Sequence, residues 1–326
     1  MTHHSSPFTP HSSQGKHSPF TILVTGSNGQ VGFELKRQLC LLGEVLAPER
    51  AELDLADAAA VDRWLEANRP TLIVNAAAYT GVDKAEEEPE LARRLNAELP
   101  AQLAEYSAAH GQWLVHYSSD YVYPGSGEAL WEEGSTTGPL GVYGQTKLAG
   151  DEAVQASGCE HLIFRTSWVY SARGNNFMKT MLRLGREREA LKVVGDQIGA
   201  PTPARLIAQV TALALHQGET IHSSQAQRSP LTPHAPAGIY HLAPRGKTSW
   251  HGFASEIFRQ AAEYGEALVI TPDNVAPIPT AEYPTPAQRP LNSRLSLDKL
   301  EQALGIQLPG WQEQLALTLS EHLTKA

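Results

Sequence analysis

Hydrophobic and polar positions repeat one pattern through the first half of the chain. Each repeat is a short apolar, β-branched run, then a turn of small or polar residues, then a helical stretch. The runs are 20–25 (FTILVT), 44–47 (EVLA), 71–75 (TLIVN), 113–117 (WLVHY) and 161–166 (HLIFRT). Such continuous apolar runs predict strands buried on both faces. Helical patterns follow at 33–42, from about 57, and at 88–110, where Asn96 reads as a buried structural side chain. Strand and helix in alternation predict an α/β fold with a parallel sheet. After residue 166 the alternation breaks down. A basic helix is expected from 177 to 188, a further strand at 238–242 and a helix at 250–264. Residues 272–290 hold six prolines and read as extended chain wrapped over a surface. Residues 124–139 read as a loop that either covers a substrate or simply connects, and 218–236 as a polar surface insertion.

These elements divide the chain into a tail (1–19), a nucleotide-binding domain (20–172 with about 204–245) and a smaller C-terminal domain (about 173–203 with 246–326). The tail is rich in Ser, His and Pro. His3, His4, His11 and His17 within it fit a disordered segment better than a metal site.

The 326 residues carry 26 Lys+Arg against 35 Asp+Glu, a net charge of −9, which argues against nucleic acid as a partner. No apolar run approaches the ~18 residues of a membrane span, and the tail lacks the apolar core of a secretory signal. A cytoplasmic protein is expected. Cys40 and Cys159 are too few for a disulfide framework and read as buried thiols in a reducing compartment. No sequence cluster has metal-ligand spacing.

Candidate chemistry begins at the first turn, Gly26-Ser27-Asn28-Gly29-Gln30-Val31-Gly32. A strand, a glycine-rich turn and a helix open a dinucleotide-binding unit, so a Rossmann-type, doubly wound sheet is expected. Gly26 allows the tight turn, Gly29 lets N–H groups approach a pyrophosphate, and Gly32 permits close helix–strand packing. The spacing is G-x-x-G-x-x-G rather than G-x-G-x-x-G. Glu49 lies near the ~20-residue offset of an acid that holds an adenosine ribose. Arg50 beside it suits a 2′-phosphate, which leaves NADH and NADPH both open. Asp54 and Leu55 either lie by the adenine, or Asp54 caps the helix that begins near Asp57. Ala76, Ala77 and Ala78 end a strand with residues small enough for a flat cofactor to lie against. Ser119 ends another strand, where ligands bind in such sheets. Tyr143 and Lys147, four residues apart on a predicted helix, share a face. An ammonium beside a phenol lowers the phenol pKa, so the pair suggests a tyrosine acid/base. Arg289 and Arg294 are candidates to grip a diphosphate.

Together these residues specify hydride transfer with a tyrosine acid/base. The set resembles the extended, nucleotide-sugar-modifying branch of the short-chain dehydrogenases/reductases. Segments 26–35 (GSNGQVGFEL), 74–86 (VNAAAYTGVDKAE), 116–123 (HYSSDYVY), 142–150 (VYGQTKLAG), 164–170 (FRTSWVY), 196–202 (DQIGAPT) and 283–295 (YPTPAQRPLNSRL) resemble the dTDP-4-dehydrorhamnose reductase family.

The resemblance implies an NADPH-dependent enzyme, with NADH as a second donor, that reduces the C4 keto group of dTDP-4-dehydro-L-rhamnose to dTDP-L-rhamnose for a surface polysaccharide. By it, Tyr143 donates the proton, Lys147 holds the nicotinamide ribose and depresses the Tyr143 pKa, and Ser119 binds the substrate oxygen. Asp120, Tyr121 and Trp168 line the sugar pocket, and Arg289 and Asn292 lie near the diphosphate. Gln30, Val31, Glu49, Arg50, Asp54, Ala77 and Ala78, with Asn28, Leu55 and Tyr79 beside them, match cofactor positions. Some members of the family are Mg2+-dependent homodimers with glutamates at the subunit contact. Glu34 matches one such position, whereas Arg205 stands where another carboxylate is expected. Two other readings share the fold: a nucleotide-sugar epimerase, and a non-catalytic subunit like the regulatory β subunit of methionine adenosyltransferase.

Overall fold

The apolar runs pair into a single sheet because each presents apolar side chains to both faces. A computed structural model describes residues 20–216 and 233–324; the expectations for the tail and for most of the 218–236 insertion lie outside the described residues. Strands β1 (Thr21–Thr25), β2 (Glu44–Leu46), β3 (Leu72–Asn75), β4 (Trp113–Ser119), β5 (Glu160–Thr166) and β6 (Gly238–His241) form this sheet. Their order is β2-β1-β3-β4-β5-β6, every pair parallel. Ile22 and Val24 pack on one face with Leu35 and Leu39 of α1 (Gln30–Leu39). Leu23 packs on the other with Val61 and Leu65 of α2 (Ala58–Asn68) and Leu103 of α3 (Leu99–His110). The two-residue period of a strand produces this split. Strand order reverses between β1 and β3, which opens a crevice at the C-terminal edge.

The helix expected over 88–110 is interrupted by a π turn at Arg94–Glu98. Asn96, fully buried within it, accepts from Tyr79 N (2.8 Å) and donates to Tyr79 O (3.1 Å) and Thr146 Oγ1 (3.2 Å). One side chain thus ties the segment after β3 to the helix that carries Tyr143. That helix is α4 (Val142–Ala156). Residues 124–139 form no helix and contribute nothing to the cavity described below; Trp131 fastens them by stacking on Tyr123 at 5.1 Å.

A second core forms around α5 (Phe177–Glu187), α7 (Trp250–Glu263) and α8 (Trp311–Leu323), while α6 (Ala204–Leu215) packs into the first. Here the proline-rich stretch departs from the expected extended wrap: Val275–Ile278 pairs in parallel with Leu191–Val194. Pro277 is tolerated because an edge strand need not use every N–H. We propose the two cores as two domains, divided as the sequence suggests except that Leu300, Leu304 and Leu308 return to the first core and Tyr170 joins the second. Cys159 is buried, but Cys40 is exposed, in the turn that follows α1. Among the described residues, no helix is long and apolar enough to cross a membrane.

Candidate active site

At the C-terminal edge of the sheet lies a cavity of about 840 Å³. Gly26, Asn28, Gly29, Gln30 and Val31 line one end. Gly26 has φ +64°, and a Cβ on Gly32 would lie 2.2 Å from Gly26 O, so the first and third glycines press turn and helix together. Gly29 caps α1 without a side-chain hydrogen bond, and the first turn carries no acid. The N–H groups and positive dipole end of α1 therefore face the cavity uncompensated, which fits a pyrophosphate. Gly32 itself supports the turn from behind.

Glu49, Arg50, Asp54 and Leu55 line the cavity beyond the glycine turn, and Ala77 and Ala78 line its wall. Arg50 and Asp54 approach each other at 4.0 Å with side chains 87% and 51% exposed, so both are free to meet a ligand. Asp57, not Asp54, caps α2, accepting from Ala60 N at 3.0 Å. Tyr79 turns out of the cavity: its hydroxyl donates to Glu88 at 2.6 Å, which pushes its pKa up to about 12.

The opposite end gathers Ser119, Asp120, Tyr121, Tyr143, Lys147 and Trp168. Gly144 makes this possible. A Cβ there would sit 2.3 Å from Tyr121 O, so only glycine lets α4 press on the turn after β4. Tyr143 then meets Tyr121 edge to face, at 5.3 Å and 86°. The Ser119 hydroxyl donates to Asp120 Oδ1 at 2.9 Å and accepts from Tyr121 N at 3.2 Å. Burial pushes the Asp120 carboxyl up to about 6.

Lys147 does not lower the Tyr143 pKa as the four-residue spacing implied. Its ammonium donates to Tyr117 O at 2.6 Å and lies 3.4 Å from His116 Nε2. Burial instead pushes the Tyr143 phenol up to about 12, against an opposing pull from Ser119. Tyr143 thus carries its proton at neutral pH, as an acid must.

The residues expected near a diphosphate also stay outside the cavity. Arg289 pairs with Asp83 at 2.7 Å. Asn292, 1% exposed, spends its amide on Ala129 O (2.8 Å) and its oxygen on Arg294. Among the lining residues that escaped the sequence reading, Trp250 and Asn176 do most to shape the site. Trp250 stacks on Trp168 at 3.8 Å and 15°, and Trp168 is held at φ +49°, a strained conformation for its type. Asn176 caps α5 and also donates to Gln30 Oε1 at 2.9 Å, linking the two cores at the cavity. The cap was visible as an Asn before a helical pattern, but the contacts join residues far apart in sequence.

The profile of the family described as the RmlD substrate binding domain matches residues 20–324. A dTDP-4-dehydrorhamnose reductase of Salmonella typhimurium is 45% identical over 307 residues, 93% of this chain and 98% of that protein. The chain belongs to the dTDP-4-dehydrorhamnose reductase family. Solved structures bearing the reductase name agree. The one from Clostridium acetobutylicum has TM-score 0.81 and 34% identity, over 94% of this chain and 100% of that one. The one from Bacillus anthracis, in complex with NADP, has TM-score 0.79 and 33% identity, over 93% and 99%.

The Mg2+ implied by the resemblance does not fit the residues present. Glu34, 3% exposed, faces Arg205 Nε at 3.5 Å, and the same guanidinium pairs with Glu321. A fixed cation already stands between the carboxylates. Among the described residues no group of three or more His, Cys, Asp or Glu gathers to hold a metal.

Proposed function

We propose that this chain reduces the C4 keto group of dTDP-4-dehydro-L-rhamnose to dTDP-L-rhamnose, with NADPH as the donor and NADH as a second. The observation that carries this reading is the joining, in one cavity, of an uncapped helix N-terminus to Ser119, Tyr143 and Lys147. The nicotinamide cofactor supplies the hydride when bound. The Gly26–Gly32 turn and the N-terminus of α1 hold its pyrophosphate, Lys147 its ribose, and Arg50 the 2′-phosphate. Asp120 holds the Ser119 hydroxyl in the free enzyme, and Ser119 turns that O–H from the carboxylate to the C4 oxygen to position it. Tyr143 donates its phenolic proton to that oxygen as C4 is reduced, and the resulting phenolate takes a proton from solvent. The Trp168–Trp250 wall keeps water from the sugar ring.

Turnover is followed as loss of reduced-nicotinamide absorbance with dTDP-4-dehydro-L-rhamnose. One cofactor is expected to be consumed per dTDP-L-rhamnose formed. Tyr143→Phe should lower kcat by roughly 10²–10⁴-fold with NADPH binding retained. An epimerase would interconvert sugars without net cofactor loss, and a non-catalytic subunit would bind cofactor without turnover; either result contradicts the proposal.

A further inference from the structure

Lys147 and Asp151 sit one turn apart on α4, a spacing at which opposite charges ordinarily pair. They do not pair. Asp151 Oδ2 accepts from Arg165 Nε at 2.9 Å, and the Lys147 ammonium donates to Tyr117 O. His116 reaches both: its Nε2 lies 3.4 Å from Lys147 Nζ and 3.9 Å from Asp151 Oδ1. Exposure of the three residues is 0% for His116, 1% for Lys147 and 0% for Asp151.

The hydrogen bonds around His116 Nδ1 favour one tautomer. Ala77 N donates to Thr25 Oγ1, leaving that hydroxyl to donate to Asn75 Oδ1 at 2.6 Å. This orients the Asn75 amide, whose Nδ2 must donate to His116 Nδ1 at 3.1 Å. With Nδ1 accepting, Nε2 carries the hydrogen, so the Lys147 ammonium 3.4 Å away meets a donor and makes no hydrogen bond with it. Asp151 Oδ1 has no hydrogen-bond partner among the described residues. A buried carboxylate oxygen left in that state is costly unless its charge is used.

We propose that His116 and Asp151 are positioning residues for Lys147: Asp151 keeps its ammonium charged, and His116 keeps it from folding back onto the carboxylate and out of the cofactor cavity. This rests on the reductase reading above. Lys147 faces His116 and the Tyr117 carbonyl from β4, with Asp151 and Tyr143 on its own helix. Asp151 in turn faces Arg165 from β5 and Ser118 from β4. Burial pulls Lys147 down to about 8, with Asp151 acting against the fall, and His116 stays neutral, held well below its ordinary value by burial and by Lys147.

NADPH binding, read by its fluorescence across the neutral and alkaline range, tests this without any sugar substrate. Affinity of the unaltered chain should fall as pH rises through about 8. Asp151→Asn should move that midpoint down by roughly one pH unit or more, and Asp151→Glu should restore it. His116→Gln should move it up and weaken binding several-fold, because Lys147 can then approach Asp151. Uniform weakening with unmoved midpoints would mean a structural role only and would overturn the proposal. Should Asp151→Asn fail to fold with Arg165 unpaired, His116→Gln decides alone, and an unmoved midpoint there overturns it. Pronounced NADPH binding with these shifts but without sugar reduction would sink the reductase reading and leave this one standing.

Discussion

In the proposed reaction, Tyr143 and Lys147 divide the work of proton and charge. A phenol pushed up to about 12 stays protonated well above neutral pH, so the alkaline limit on activity is expected to belong to Lys147, pulled down to about 8. The sign follows directly: Lys147 is cationic below its pKa and loses its charge above it. We expect kcat/KM for the cofactor to fall as pH rises through about 8, checked by a pH profile at saturating nucleotide sugar. The Tyr-x-x-x-Lys pair was legible in sequence because helical spacing puts both residues on one face. Its electrostatics were not, because the partners that decide them, the Tyr117 carbonyl and His116, come from β4. The partners of Arg289 and Asn292 were hidden for a similar reason. A positive or polar side chain in a proline-rich stretch looks available until the fold supplies Asp83 and Ala129 O as partners.

The elements that build the site were the most readable part of the chain. Strands β1, β3, β4 and β5 are buried on both faces, so their apolar runs stand out against the turns, and Gly26-x-x-Gly29 marks where β1 gives way to α1. The pairing of Leu191–Val194 with Val275–Ile278 was not readable, because each strand is short, one holds a proline, and they meet across a long stretch of chain. Gly144 shows how closely the elements fit. Gly144→Ala would place a methyl 2.3 Å from Tyr121 O, against backbone that cannot rotate away. The expected result is a loss of about 1–3 kcal/mol in stability from overpacking, with a fall in kcat as α4 shifts Tyr143. Urea unfolding and steady-state kinetics on the same preparation would check both.

Across the whole molecule, a buried polar chain underlies the cavity. Asp151 binds Arg165, Arg165 donates to Tyr123 Oη at 2.8 Å, and that hydroxyl meets His241 Nε2 at 2.7 Å. Burial holds His241 down at about 3 and His116 well below its ordinary value. The unfolded chain takes up protons on these histidines near pH ~6.5, while the folded chain refuses them. Stability attributable to them is therefore complete above that pH and declines as pH falls toward about 3, the His241 value. The slope is up to ~1.4 kcal/mol per pH unit for each histidine. Urea midpoints at neutral and mildly acidic pH should show the decline, and His241→Gln should flatten it.

The central claim is that hydride reaches the sugar at C4 while Tyr143 supplies the proton. It is tested most directly with NADPH deuterated at its transferable position and dTDP-4-dehydro-L-rhamnose, with the product analysed by NMR. The account predicts one deuterium at C4 of dTDP-L-rhamnose per cofactor oxidised, with transfer slowed roughly 10²–10⁴-fold in Tyr143→Phe. Deuterium that stays on the cofactor while the sugar changes configuration, or transfer undiminished in Tyr143→Phe, would contradict it.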